Sequence, residues 1–168
     1  MKSREDFFIG NEWVSPSSKK VFEVTNASTG EFVAKVPEGQ NADIDAAVSA
    51  ARDAFQEGEW ANSSPNARAK IMEKFLSAFI KRGDEIAKIV SIQNGMPIGL
   101  SKAFEAEYSA GILQYYTEQA KNFDAALDIR PSQMGKETLV EKIPLGVVAA
   151  IVPWNYPVTL AMSKIAPA

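Results

Sequence analysis

A chain of 168 residues with a net charge of −3 at pH 7 fits one globular domain, which at this size buries roughly 68–70% of its unfolded surface. It holds no cysteine and no histidine, so a disulfide scaffold, a Cys/His zinc site, a thiol nucleophile and a histidine base are all absent from these residues. Lys and Arg are dispersed rather than gathered in a block, which argues against a nucleic-acid partner, and no metal site is expected.

The start, Met1 to Asp6, is not followed by an apolar h-region, so no secretory signal is read there and a cytoplasmic location is expected. Phe7-Phe8-Ile9 and Trp13-Val14 flank Gly10-Asn11, a hairpin signal. Val21 to Val24 and Phe32 to Val36 are read as two more strands around a turn at Asn26-Ala27-Ser28-Thr29-Gly30.

From Asn41 the apolar period becomes helical. Ile44, Val48, Ala51 and Phe55 share one face, with Asn41 as the predicted N-cap and Gly58 as the stop. Ser64-Pro65 starts a second helix, whose stripe is Ile71, Phe75, Ala78 and Phe79 and which ends at Gly83. Asp84 is the predicted cap of a third, through Ile86, Ile89 and Val90 to Asn94-Gly95. The longest pattern follows Pro97: Phe104, Tyr108, Ile112, Tyr116, Ala120 and Phe123 recur at three or four residues. Such a stripe can line a ligand groove, but its spacing favours core packing.

Arg130-Pro131 breaks that pattern, and Glu137 to Ile143 alternates as a strand. Ile143 to Ser163 carries no charge and is long enough to span a bilayer, but Pro144, Gly146, Pro153, Asn155 and Pro157 would break a single helix repeatedly. A strand buried on both faces at Gly146–Val152, a turn at Pro153–Pro157 and a helix from Val158 to Ile165 account for the same run. One strand entering a helix cannot make a doubly wound sheet, so the chain is expected to stop where a nucleotide-binding domain begins.

Strand, tight turn and helix is where an open α/β sheet places ligands. Asn155 sits in this turn between two prolines, and its amide there either donates to an oxygen acquiring negative charge or merely stabilises the turn.

Pro144-Leu145-Gly146-Val147-Val148-Ala149-Ala150-Ile151-Val152-Pro153-Trp154-Asn155-Tyr156-Pro157 closely resembles the first Rossmann strand and Pro-Trp-Asn turn of the aldehyde dehydrogenase superfamily. The likeness continues through Lys164-Ile165-Ala166-Pro167-Ala168. Upstream, Asn26 to Glu31 resembles the family's Asn-Pro-x-Thr-Gly-Glu turn, and Asn94-Gly95-Met96-Pro97 its Gly-Lys-Pro segment. The resemblance implies an α/β, aldehyde dehydrogenase-like fold whose Rossmann-like coenzyme domain is incomplete here. Its implied parts are a hairpin and helical region at 1–126, oligomerisation strands at 127–143, and the start of the coenzyme-binding core at 144–168.

The same resemblance implies oxidation of a small-molecule aldehyde to a carboxylate with NAD or NADP, through a thiohemiacetal on a cysteine that these residues do not contain. The 168-residue chain alone is therefore expected to be inactive. Asn155 would be the oxyanion donor, and Ile151, Val152, Pro153 and Trp154 would border the coenzyme. Tyr156 would form an aromatic wall of the substrate tunnel with Thr159 and Leu160 nearby, and Lys164 would support the general-base glutamate from behind. A homo-oligomer, no membrane and no nucleic acid complete the implied setting. Ala27 replaces the turn's usual proline, which should loosen it slightly, and Gln93 stands where an acidic residue is common, which weakens the case for a structural monovalent cation. The alternative is a non-catalytic binding or assembly module of the same ancestry.

Overall fold

The computed structural model describes residues 3–123 and 128–168. Strands β1 (Phe7–Ile9) and β2 (Glu12–Val14) pair antiparallel with Ile9 opposite Glu12. Gly10 and Asn11 between them both take positive φ, 60° and 71°, as a two-residue hairpin turn that follows the strands' twist requires. Strands β3 (Val21–Thr25) and β4 (Phe32–Pro37) form a second antiparallel pair, with a register slip between Val24 and Thr25.

The turn joining β3 to β4 closes on itself and also docks. The Asn26 side chain accepts from the Ser28 N–H at 2.9 Å, and the Asn26 N–H donates to the Glu31 carbonyl at 2.8 Å. The Ala27 N–H donates to the Ile92 carbonyl at 3.0 Å. A proline has no such donor, so the replacement expected to loosen the turn supplies a bond that ties it to the helical layer.

That layer comprises α1 (Asn41–Gln56), the short α2 (Glu59–Asn62), α3 (Pro65–Lys81), α4 (Gly83–Asn94) and a continuous helical stretch. The stretch runs as α5 (Ile98–Ser101), a π-helical segment (Lys102–Tyr108) and α6 (Ser109–Lys121). A third antiparallel hairpin follows, β5 (Asp128–Pro131) with β6 (Glu137–Val140), and then α7 (Pro157–Ile165). Helix α3 packs on α6, α4 on the π-helical segment, and α7 on both α6 and that segment. Gly83 permits one of these approaches, since a Cβ there would sit 3.4 Å from the Ala106 methyl. The expected division at residue 126 falls outside the described residues.

Local starts and stops follow the chemistry of helix ends, with two corrections. The Ser64 hydroxyl accepts from the Ala67 N–H at 3.2 Å and Pro65 opens α3, as predicted. Gly95 ends α4 in the left-handed conformation, φ 76°. The cap of α1 is Gln40 rather than Asn41, because the Asp43 carboxylate reaches back to the Gln40 N–H at 2.8 Å. Asp43 also takes the Ser17 N–H at 2.8 Å and the Ser17 hydroxyl at 2.9 Å. These donors, the Gln40 amide first, hold its carboxyl below the usual carboxylate range. The cap of α4 is Arg82 rather than Asp84, which lies in the first turn and pairs with Lys102 at 2.7 Å.

Two larger corrections concern burial. Along the helix after Pro97 the buried face is Ser101, Glu105, Ser109, Leu113 and Thr117, while Phe104 and Tyr108 of the predicted core stripe are 40% and 58% exposed. In the π-helical segment bonds run from residue i to i+5, which turns a different set of side chains inward. The small hydroxyls on that face are satisfied locally: Ser101 donates to the Ala87 carbonyl at 2.8 Å and Thr117 to the Leu113 carbonyl at 2.7 Å.

The second concerns 146–152, which forms no ladder with any described residue. Ile151 is 81% exposed, and Val147, Val148 and Val152 are exposed too. An apolar run becomes a buried strand only when neighbours pair its backbone and cover its faces. The turn and the helix beyond it form as predicted. That helix spans nine residues, and no helix among the described residues is long and apolar enough to cross a membrane.

Candidate active-site turn

The turn Pro153–Pro157 is defined by what holds its two flanks. On the helical side, Pro157 occupies the first position of α7, where its missing N–H costs nothing. Tyr156 takes the cap position at φ −136°, ψ 65°, with no short polar side chain to receive the free N–H groups of the first turn. Glu105 supplies the acceptor from the π-helical segment. Its Oε2 takes the Val158 N–H at 2.8 Å and the Thr159 N–H at 3.2 Å, and the side chain is completely buried.

Thr159 adds a second tie. Its hydroxyl donates to the Phe104 carbonyl at 2.7 Å and lies 3.1 Å from the Ser109 hydroxyl. On the other flank, the Asn94 side-chain amide donates to the Asn155 carbonyl at 3.4 Å, while its oxygen accepts from the Met96 N–H at 2.9 Å. The segments Asn94–Pro97 and Pro153–Pro157 are therefore in contact.

Between these ties the Asn155 side chain is exposed and makes no hydrogen bond to any described residue. An amide whose backbone is held while its N–H groups stay free can aim them at an external oxygen. The Tyr156 ring meets Phe104 edge-on at 5.6 Å, and Phe104 meets Tyr108 at 6.4 Å. These three rings form an aromatic row beside the turn, so the residues of the predicted core stripe nearest the turn border open space.

Trp154 is 79% exposed, and Pro153 and Ile151 are open beside it. Leu160 is half-buried one turn into α7. Thr159 is buried with its hydroxyl committed to the helix junction, so it reaches a ligand only through the position it gives its neighbours. Lys164 is exposed at the last turn of α7, well along the helix from Asn155, and has no ion pair among the described residues.

Sequence reasoning missed Glu105 and Asn94. The available signal for Glu105 was the Tyr-Pro start of α7, a helix without a local capping side chain whose free donors must be met from elsewhere. A cleft of about 690 Å³ between α3 and α6, lined by Trp60, Arg68, Tyr115, Tyr116 and Phe123, contains none of the predicted site residues. Size alone does not make it the reactive site, because the residues of the Pro153–Pro157 turn lie outside it.

The sequence profile of the aldehyde dehydrogenase family matches residues 13–168. The chain belongs to the aldehyde dehydrogenase family. Among the family's characterised members, a geranial dehydrogenase from Castellaniella defragrans is 42% identical over 164 residues, covering 98% of this chain and 34% of that protein. A phenylacetaldehyde dehydrogenase from Pseudomonas fluorescens is 36% identical, covering 95% of this chain and 33% of that one. The fold matches a Mycobacterium tuberculosis aldehyde dehydrogenase crystallised with NAD+ at a TM-score of 0.91, with 36% identity over 99% of this chain and 34% of that chain. This aldehyde dehydrogenase chain thus spans about a third of the length of the relatives it matches.

Proposed function

We propose that this chain is the part of an NAD(P)-dependent aldehyde dehydrogenase that contributes the oxyanion donor and one edge of the coenzyme site. The net reaction converts aldehyde, water and NAD(P)+ into carboxylate, NAD(P)H and two protons. The observation that carries the reading is the Asn155 amide, exposed and unbonded on a turn tied at both flanks. When a thiolate adds to an aldehyde carbonyl, a carbon–sulfur bond forms and the carbonyl π pair moves onto oxygen. A donor already in position stabilises that charge without reorganising. Since no cysteine occurs in this chain, the thiolate belongs to another part of the enzyme.

The exposed apolar surfaces of Ile151, Val152, Pro153 and Trp154 suit contact with an uncharged face of the coenzyme. When bound, NAD(P)+ accepts the hydride. Tyr156, extended by Phe104 and Tyr108, forms an aromatic wall for the aldehyde, with Leu160 behind it and Thr159 fixing the start of the helix. Lys164 acts from the far end of α7 by orienting the general-base glutamate.

In this reading 1–126 is the hairpin and helical part, 127–143 the oligomerisation strands and 144–168 the start of the coenzyme core. The β5–β6 hairpin is exposed on most residues, which suits a role between subunits of a homo-oligomer. A cytoplasmic location is part of the same proposal. The bare apolar run 146–152 also fits an assembly module without chemistry of its own.

Asn155→Ala in the full-length enzyme separates the two. The catalytic reading expects kcat to fall by about 10²–10³ with coenzyme affinity unchanged. A variant with near-normal kcat per coenzyme-binding site removes Asn155 from catalysis and favours the assembly role.

A further inference from the structure

We infer that Glu105 is the positioning residue of the Asn155 turn, acting as a remote N-cap for the helix that the turn feeds. The inference rests on the oxidoreductase reading of Asn155 and adds a residue that this reading does not contain.

Helix α7 begins without a capping side chain of its own. The first residue, Pro157, has no N–H, and the Leu160 N–H is taken by the Tyr156 carbonyl at 3.0 Å. The donors left between them are those of Val158 and Thr159, and Glu105 Oε2 accepts both. A carboxylate at this end also opposes the positive pole of the helix dipole. One oxygen therefore fixes both the direction and the depth of the first turn of α7, three residues beyond Asn155.

The cost of this arrangement shows that it is not ordinary packing. Glu105 has 0% exposure, and its second oxygen, Oε1, is buried without a partner among the described residues. A buried polar atom left unsatisfied destabilises a fold. An apolar side chain would fill the same interior space without that cost, but it would leave two helix donors unmet and the turn free to shift.

The π-helical segment completes the device. It carries both Glu105 and Phe104, whose carbonyl accepts from the Thr159 hydroxyl. Side chain and backbone of one irregular segment thus both hold Thr159, and the side chain holds Val158 as well. A π-helical insertion within a longer helix is a recurrent way to redirect such groups toward a functional site.

The test is a double-mutant cycle in the full-length enzyme, with kcat expressed per coenzyme-binding site. Glu105→Ala should lower kcat by up to about 10²-fold, the scale of a donor displaced by an ångström, with coenzyme affinity unchanged. Glu105→Gln keeps the shape and a weaker, uncharged acceptor, so it should lose only a few-fold, since charge-assisted bonds are roughly twice as strong. In an Asn155→Ala background either change should alter kcat by less than about 2-fold. Hydrogen exchange at the Val158 and Thr159 amides should accelerate in both Glu105 variants. If Glu105→Ala does not fold, the Gln variant alone decides through its coupling and its amide protection.

Equal losses from Glu105 changes with and without Asn155, or unaltered protection of the two amides, overturn the inference. A normal kcat in Asn155→Ala alone overturns the oxidoreductase role of that side chain instead, and the amide protection still reports whether Glu105 holds the helix.

Discussion

Thr159→Val separates two roles for a residue that the family resemblance places near the substrate. Valine keeps the branched shape and the backbone N–H that reaches Glu105, and removes only the hydroxyl. The lost contacts are the 2.7 Å bond to the Phe104 carbonyl and the 3.1 Å contact with the Ser109 hydroxyl. A neutral bond of this kind contributes about 0.5–1.5 kcal/mol. The Phe104 carbonyl is not orphaned, because the Ser109 hydroxyl still donates to it at 3.1 Å. The added methyl recovers part of about 0.8 kcal/mol only if the site accommodates it. The net expectation is a loss of about 1 kcal/mol. In the full-length enzyme, urea unfolding followed by circular dichroism measures this loss, and steady-state kinetics run beside it. KM for the aldehyde should stay within about 2-fold, as for a side chain that does not touch substrate. Thr159→Ser, which retains the hydroxyl and gives up only a buried methyl worth up to about 0.8 kcal/mol, should keep the wild-type KM for the aldehyde. An unchanged urea midpoint together with an aldehyde KM raised tenfold would refute the reasoning, because the hydroxyl would then be serving the ligand.

Two further tests address the scaffold. Asp43 has a depressed carboxyl pKa, so its contribution to stability is complete above the unfolded value of about 3.9 and is lost as pH falls through the lower folded value. Asp43→Asn should therefore flatten the acid limb of a urea-midpoint series from pH 7 to 3, and an unaltered slope would exclude this carboxylate as its source. Gly95→Ala places a side chain at φ 76° and 3.4 Å from the Ala27 methyl, and should cost about 1–2 kcal/mol in thermal melts. A variant as stable as wild type would mean that the end of α4 relaxes without strain.

The local structure of the chain was legible wherever a short segment contains its own cause. Gly10-Asn11 forces the first hairpin, Ser64-Pro65 starts α3 and Asn94-Gly95 stops α4, all as read from the residues. The α/β class and the family were legible from the Pro144–Pro157 stretch. Burial was not, because periodicity names a face without saying what covers it. Phe104 and Tyr108 have helical spacing yet face outward, while Ser101, Glu105 and Ser109 face inward, the two serine hydroxyls donating to backbone carbonyls and Glu105 reaching across to α7. A run such as 146–152 reads as a strand from its side chains, but a ladder needs partners that no single segment supplies. Glu105 stayed hidden for the same reason, since its role exists only across a tertiary contact.

The cap of α7 also makes the order of the turn depend on a distant part of the chain. Its acceptor lies 53 residues upstream of the Val158 donor, so the first turn of the helix cannot be completed by local contacts. Closing a loop of that length costs entropy that only an already assembled docking surface offsets. Glu105 is buried where Val158 and Thr159 can reach it only when α4, the π-helical segment and α6 are packed together. The order of the Asn155 turn therefore depends on the helical layer beneath it. A destabilising change deep in α4 or α6 should consequently loosen the Asn155 turn as well.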